Sequence, residues 1–374
     1  MKFIQCCLIF LTTLILTSCD SNLLNKDDSE KQKVVHILNW TDYIDPSVIT
    51  DFENKTGIKV RYDLFDTDES LEKIMFSKTN DYDLVFPSAN FFTVYLENGL
   101  VHPLQKELLP NLSNIDKNFY LELESYDPGN KHAINYHWGT TGIAYLERKI
   151  NILGNLEDMK TLKSIFELEY IKKYTACGIG IIDSPIDIST LVKLYLGIPV
   201  DNADTENLIK IKEILFQIAP FISQISTDKI ISDLSEGNIC LAIAYNGDAL
   251  QAQQRARKNK SPRIIKYEIP IEGGIRWLDT VLIPKQAPNK LEAHQFLNYI
   301  LDAKVSAKIT NYNNYANSNK ASEQYISEDI FTNQIIYPQE EVKSRIKTIK
   351  GLPVAYTKEL NKIWTEFKGK INSR

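Results

Sequence analysis

The chain has 374 residues, of which 43% are hydrophobic and 24% charged, an ordinary globular composition long enough for two domains. Its formal charge of −5 argues against nucleic acid as a partner and toward a small cationic one. No block of like charge stands out, and Arg255 to Lys260 reads as the solvated end of a helix.

In chain order, Lys2 precedes an apolar run from Phe3 to Leu16, too short to span a bilayer and suited to a secretory leader. The run ends in Leu16-Thr17-Ser18-Cys19, which resembles a bacterial lipobox, so cleavage before Cys19 and lipid on its thiol are expected. Loss of residues 1–18 also removes Lys2 and leaves the mature chain more acidic. Residues 19–33 are polar, a tether of roughly 20 Å as a flexible chain. Cys6, Cys7 and Cys19 fall in the export segment, which leaves Cys177 and Cys240. In an exported chain such a pair suggests a disulfide; two buried thiols are the alternative.

Val34 to Leu38 is short and β-branched, the pattern of a strand buried on both faces of a parallel sheet. Asp45 is a good N-cap, Pro46 suits the first helical position, and Gly57 stands where the helix stops. Asn39-Trp40-Thr41-Asp42-Tyr43 is therefore read as a strand-to-helix loop at the carboxyl edge of a sheet, where open α/β folds bind ligands. Trp40 and Tyr43 on either side of Asp42 can box in an organic cation; half-buried rings beside a solvated acid are the alternative. Ile58 to Leu64 alternates as a half-buried strand, Leu71, Ile74 and Met75 mark a helix face, and Asp83 to Phe86 is a strand stopped by Pro87-Ser88. This is a doubly wound start, with the loop Ser88-Ala89-Asn90 at the same edge as Trp40 to Tyr43.

Tyr136 to Gly142 is a glycine-punctuated segment ahead of a further strand, and Gly273 to Asp279 is a second; both are candidate crossings between lobes. Between them come strands at Gly178 to Ile182 and Ile239 to Ala244, with a helix beginning near Asp187. Leu291 to Leu301 and Thr357 to Phe367 have helical spacing. Gly178-Ile179-Gly180 is only half of a dinucleotide fingerprint and reads as core strand. The five histidines are scattered without zinc-type spacing, and no serine sits in a nucleophile elbow. Neither an enzyme, a cofactor nor a metal is expected. Tyr312 and Tyr315 stand among asparagines that favour a turn over an iron-phenolate site.

Asn39-Trp40-Thr41-Asp42-Tyr43, Asp83 to Ser88, Asp183-Ser184-Pro185, Tyr245-Asn246-Gly247-Asp248, Trp277-Leu278-Asp279 and Tyr315-Ala316-Asn317 resemble, in order and spacing, the motifs of bacterial periplasmic polyamine-binding proteins. The likeness runs from about Val34 to near the C-terminus and leans toward the putrescine-binding branch. It implies an α/β receptor of two lobes, each a mainly parallel sheet flanked by helices, with the ligand cleft between them. The expected boundaries are 34–140 plus 279–322 for one lobe and 141–278 plus 323–374 for the other. The implied partners are putrescine or spermidine, the permease and ATPase complex of an ABC importer, and the membrane through the N-terminal lipid; a monomer is expected.

By the same resemblance, Trp40, Tyr245 and Trp277 wall the methylene chain. Asp42, Asp187, Asp248 and Asp279 meet the ammonium ends, Asp248 with Asp279 at one and Asp42 with Asp187 nearer the other. Thr41, Ser88 and Tyr315 add hydrogen bonds, and cysteines of the putrescine branch stand where Cys177 and Cys240 do. There are departures. Asp187 replaces a longer Glu and Tyr245 a Trp; Trp277 and Thr41 lean toward the spermidine branch, Asp248 toward putrescine, and Asn90 and Ser184 fit neither. A receptor for another cationic solute, or a polyamine sensor for a signalling protein, is the competing expectation.

Overall fold

The computed structural model describes residues 32–77, 81–349 and 352–372. Cys19 and the leader lie outside the described residues. The sheet begins with β1 (Val34–Trp40), β2 (Lys59–Phe65) and β3 (Leu84–Val85), all parallel. Between β1 and β2 runs the helix Pro46–Thr56: the Asp45 side chain accepts from the Ser47 N–H, Pro46 opens the first turn, and Gly57 closes it at φ 73°. β1 is buried on both faces as its composition predicts. Ile37 packs with Phe52 and Phe296, whereas Leu38 packs with Leu71 and Phe92 on the other side.

A second parallel group is built from β5 (Ile179–Ile181), β6 (Gln224–Ile225) and β7 (Leu241–Tyr245). Its core includes Ile181, Leu191, Leu215, Ile243, Leu360 and Phe367, the last two from the closing helix Val354–Asn372. Cys177 and Cys240 are joined here, with Cα atoms 5.5 Å apart, a normal disulfide span.

The two groups are linked by β4 (Ala133–Leu146) and β9 (Gly274–Leu282), paired antiparallel with a register shift between Asn135 and His137. The strand path is β2-β1-β3-β9-β4-β7-β5-β6, with β8 (Ile265–Glu268) and β10 (Ala316–Asn317) on β4, and β11 (Ile346–Thr348) on β9. The sheet is thus parallel in its wings and antiparallel at its centre, because each chain crossing returns against the other. β4 starts with Ala133 and Ile134 in the apolar groups around β1, and ends with Ile143 and Leu146 in the group around β5 to β8. β9 makes the reverse journey, from Ile275 to Val281 and Leu282.

Three local readings change. Asn39 and Trp40 belong to β1, so the loop begins at Thr41. Ala89 opens the helix Ala89–Glu97, with Ser88 at its N-cap position, so Ala89 and Asn90 are not loop. Tyr136 to Gly142 lies inside β4 rather than ahead of a strand. Its glycine at 139 answers a packing need: a Cβ there would come within 2.3 Å of the Trp277 ring.

Candidate functional site

Where the strand ends converge lies a cavity of about 120 Å³. Trp40, Thr41, Asp42, Tyr43, Ser88, Asp187, Tyr245, Asp248, Trp277, Asp279 and Tyr315 all line it, so residues spread over most of the chain meet in one place. Each has a local reason to be there. Thr41 to Tyr43 follow the carboxyl end of β1, with Asp42 in a left-handed turn at φ 56°. Asp187 sits in the first turn of the helix Pro185–Tyr195, whose cap Ser184 accepts from the Asp187 N–H at 3.3 Å. Asp248 sits in the first turn of the helix Asn246–Lys258, directly after β7. Trp277 and Asp279 alternate onto one face of β9.

The rings form a continuous wall. Tyr245 meets Trp277 at 5.5 Å, Trp277 meets Tyr315 at 5.3 Å, and Tyr315 meets Tyr43 at 5.3 Å between centroids. Trp40 stands apart against Phe65, at 4.2 Å. Trp40, Asp42 and Tyr43 all reach the cavity but in different settings: Tyr43 is buried and turns its hydroxyl to Asp279, while Asp42 stays exposed.

Three carboxylates are buried: Asp187 and Asp248 at 8% exposure and Asp279 at 6%. Burial pushes Asp187 up to about 6, against the pull of hydrogen bonds from Thr141 and Ser184. Burial likewise raises Asp248 to about 7, opposed by the Tyr315 hydroxyl at 2.6 Å and assisted by the charge of Asp42. Asp279 rises to about 7 by burial, opposed by the Tyr43 hydroxyl and assisted by Asp187.

Thr41 donates to Asp66 at 3.1 Å, and Ser88 to Asp68 at 3.0 Å. Those aspartates, together with Phe91, Thr227 and Asp228, also line the cavity and were not foreseen. The available signal was positional: Asp66 and Asp68 follow β2, and Thr227-Asp228 follow β6, each at the carboxyl end of a parallel strand. Among the described residues, seven aspartates therefore line the cavity, and no Lys, Arg or His does. Each hydroxyl that donates to a carboxylate keeps lone pairs to offer an all-donor cation. Among the described residues no group of three or more His, Cys, Asp or Glu is placed to hold a metal. The arrangement suits an organic cation with apolar segments between its charges.

Residues 47–338 match the family model of bacterial extracellular solute-binding proteins. The chain is 36% identical to the putrescine-binding periplasmic protein SpuD of Pseudomonas aeruginosa, over 95% of this chain and 97% of that one. It is 36% identical to the putrescine-binding periplasmic protein PotF of Escherichia coli, over 90% and 92%. The crystal structure of the spermidine/putrescine ABC transporter substrate-binding protein PotD of Streptococcus pneumoniae is similar at a TM-score of 0.72. It is 26% identical, with 91% of this chain and 99% of that one covered.

Proposed function

This chain belongs to the family of bacterial extracellular solute-binding proteins, and from that premise we propose that it is a polyamine receptor serving an ABC importer. The observation that carries this reading is the cavity itself: buried carboxylates, a wall of rings, and, among the described residues, no basic side chain in its lining. A diammonium ligand supplies donors to Asp187, Asp248 and Asp279 and lays its methylenes on Tyr245, Trp277 and Tyr315. Higher identity to putrescine-binding relatives than to the spermidine/putrescine one supports putrescine as the first ligand, with spermidine second. The lobes close over the ligand about the two crossing strands, with 34–140 plus 279–322 on one side and 141–278 plus 323–374 on the other. A thermal-shift screen with putrescine, spermidine, other amines and amino acids tests the reading. At a hundredfold excess over Kd, linkage stabilises the protein by about 2.7 kcal/mol. No shift with either polyamine, or a larger shift with a different solute class, rejects it.

The periplasmic setting follows from the same premise, and the anchor is part of the proposal: Cys19 becomes the lipid-bearing mature N-terminus. Cys19→Ser then moves the protein from the membrane fraction to the soluble one. Unchanged fractionation and an unmodified N-terminal peptide by mass spectrometry count against it.

A further inference from the structure

Asn313 ends the helix Ala303–Asn313 and is fully buried. It is not among the residues that line the cavity, yet its amide contacts both tyrosines whose hydroxyls reach the buried acids. Nδ2 donates to the Tyr43 carbonyl at 3.0 Å and to His137 Nε2 at 3.0 Å, while Oδ1 accepts the Tyr315 N–H at 3.0 Å. A carbonyl only accepts and a backbone N–H only donates, so the amide has one workable orientation. His137 is a dependable acceptor, because burial pushes it down to about 3 and keeps it neutral. The Asn313 carbonyl in turn accepts from Gln251 Nε2 at 3.2 Å, and Gln251 lies on the helix that carries Asp248.

Tyr43 follows β1 and Tyr315 precedes β10, far apart in sequence, and Tyr315 comes directly after a left-handed residue, Asn314 at φ 63°. Nothing in either local segment fixes the two phenols relative to each other. Asn313 does, through one bond to each backbone.

We propose that Asn313 is a positioning residue for the ligand-binding acids: it sets both tyrosine backbones so that one hydroxyl reaches Asp279 and the other Asp248. The inference rests on the polyamine reading of the cavity, but its first test needs no ligand. Read at a pH where its carboxyl is ionised, Asn313→Asp keeps the acceptor for Tyr315 and loses the donors to Tyr43 and His137; Asn313→Leu loses all three bonds. In ligand-free protein with 13C-labelled tyrosine, assigned by Tyr→Phe variants, the Asp variant should move the Tyr43 ring signals and leave those of Tyr315. The Leu variant should move both, and neither should move Tyr174 or Tyr299. Unmoved Tyr43 signals in the Asp variant, a general shift of all tyrosines, or an Asp variant that does not fold each overturns the proposal. In the second test, Asn313→Asp should weaken putrescine binding about tenfold, the loss expected for one aligned bond, with no further loss on a Tyr43→Phe background. Equal losses on both backgrounds would make Asn313 a general structural residue and overturn the proposal. Failure of the unaltered protein to bind putrescine counts against the polyamine reading alone, since the resonance test stands without it.

Discussion

The floor and the rim of the cavity use the same residue type in opposite ways. On the floor, Asp187, Asp248 and Asp279 are buried, and their hydroxyl donors (Thr141, Tyr315 and Tyr43) do not make up for lost hydration. At the rim, Asp42, Asp66 and Asp228 remain exposed to water. A carboxylate on the floor meets a cation after both have shed solvent, so its contribution is large, directional and tied to protonation. One at the rim acts through a screened field and shapes the approach of the ligand more than its residence. Position, more than residue type, assigns the role.

Charge removal on the two sides gives the largest contrast. Asp279→Asn keeps an oxygen for the Tyr43 hydroxyl but removes the charge and turns the other acceptor oxygen into a donor, so putrescine binding should weaken by about 2–5 kcal/mol. Asp42→Asn should cost less than about 1 kcal/mol, as exposed pairs do. Calorimetry on both variants checks this, and equal losses would erase the distinction between floor and rim.

The next effect is pH. A floor carboxyl keeps its proton between about pH 4 and its folded value of about 6 or 7, where the unfolded chain has lost it. These three acids therefore favour the ligand-free fold most at low pH, and that contribution is lost progressively as pH rises from about 4 through the folded values of about 6 to 7. Binding runs the other way, because an ammonium needs the ionised form. Putrescine affinity should rise about tenfold or more per unit from pH 5 to 6 and level off above 7, while the amines stay charged to about pH 10. Protons released on binding at pH 6.5 would appear as a calorimetric enthalpy that depends on the buffer. A flat profile from pH 5 to 8 is incompatible with acids in this state. A smaller effect concerns specificity. Ser184 lines the cavity and caps a helix, and Asp caps as well, so Ser184→Asp should keep the fold and move preference about tenfold toward spermidine. Competition calorimetry with an unchanged ratio would remove Ser184 from the specificity determinants.

The sequence was most legible where physics is local. Asp45, Pro46 and Gly57 mark the helix Pro46–Thr56 because capping and φ preference act over a few residues. The floor residues are legible only through the family resemblance that their motifs carry. Asp66, Asp68 and Asp228 were missed because a short acid in a loop looks like any solvated turn residue. Only the strand order, which brings the ends of β2 and β6 to the same opening, gives them meaning. The crossing at Tyr136 to Gly142 reads from the sequence as a segment ahead of a strand rather than within β4, for a related reason. Its glycines weaken the strand pattern, yet Gly139 is needed where Trp277 approaches, a contact set by pairing with β9. Gly247 is alike: a Cβ there would lie 2.4 Å from the Tyr315 ring.

The smallest expected effect tests the rim most directly. Asp66 accepts the Thr41 hydroxyl and Asp228 that of Ser226, and an Asn side chain at either place still offers an oxygen acceptor. Asp66→Asn combined with Asp228→Asn therefore removes two charges from the opening with little change in its shape. A diammonium ligand would then approach a weaker negative field. The association rate should fall about two- to fivefold at low ionic strength, where the Debye length is about 30 Å at 0.01 M. At about 1 M salt the Debye length is near 3 Å, and the difference should vanish. Dissociation should stay within about twofold of the parent, since the departing ammonium leaves the floor acids and not the rim. Stopped-flow measurement of tryptophan fluorescence at several salt concentrations separates the two rates, with Trp40 and Trp277 in the cavity lining as reporters. A dissociation rate raised as much as the one for Asp279→Asn would place Asp66 or Asp228 in contact with the bound ligand and move the boundary between floor and rim outward.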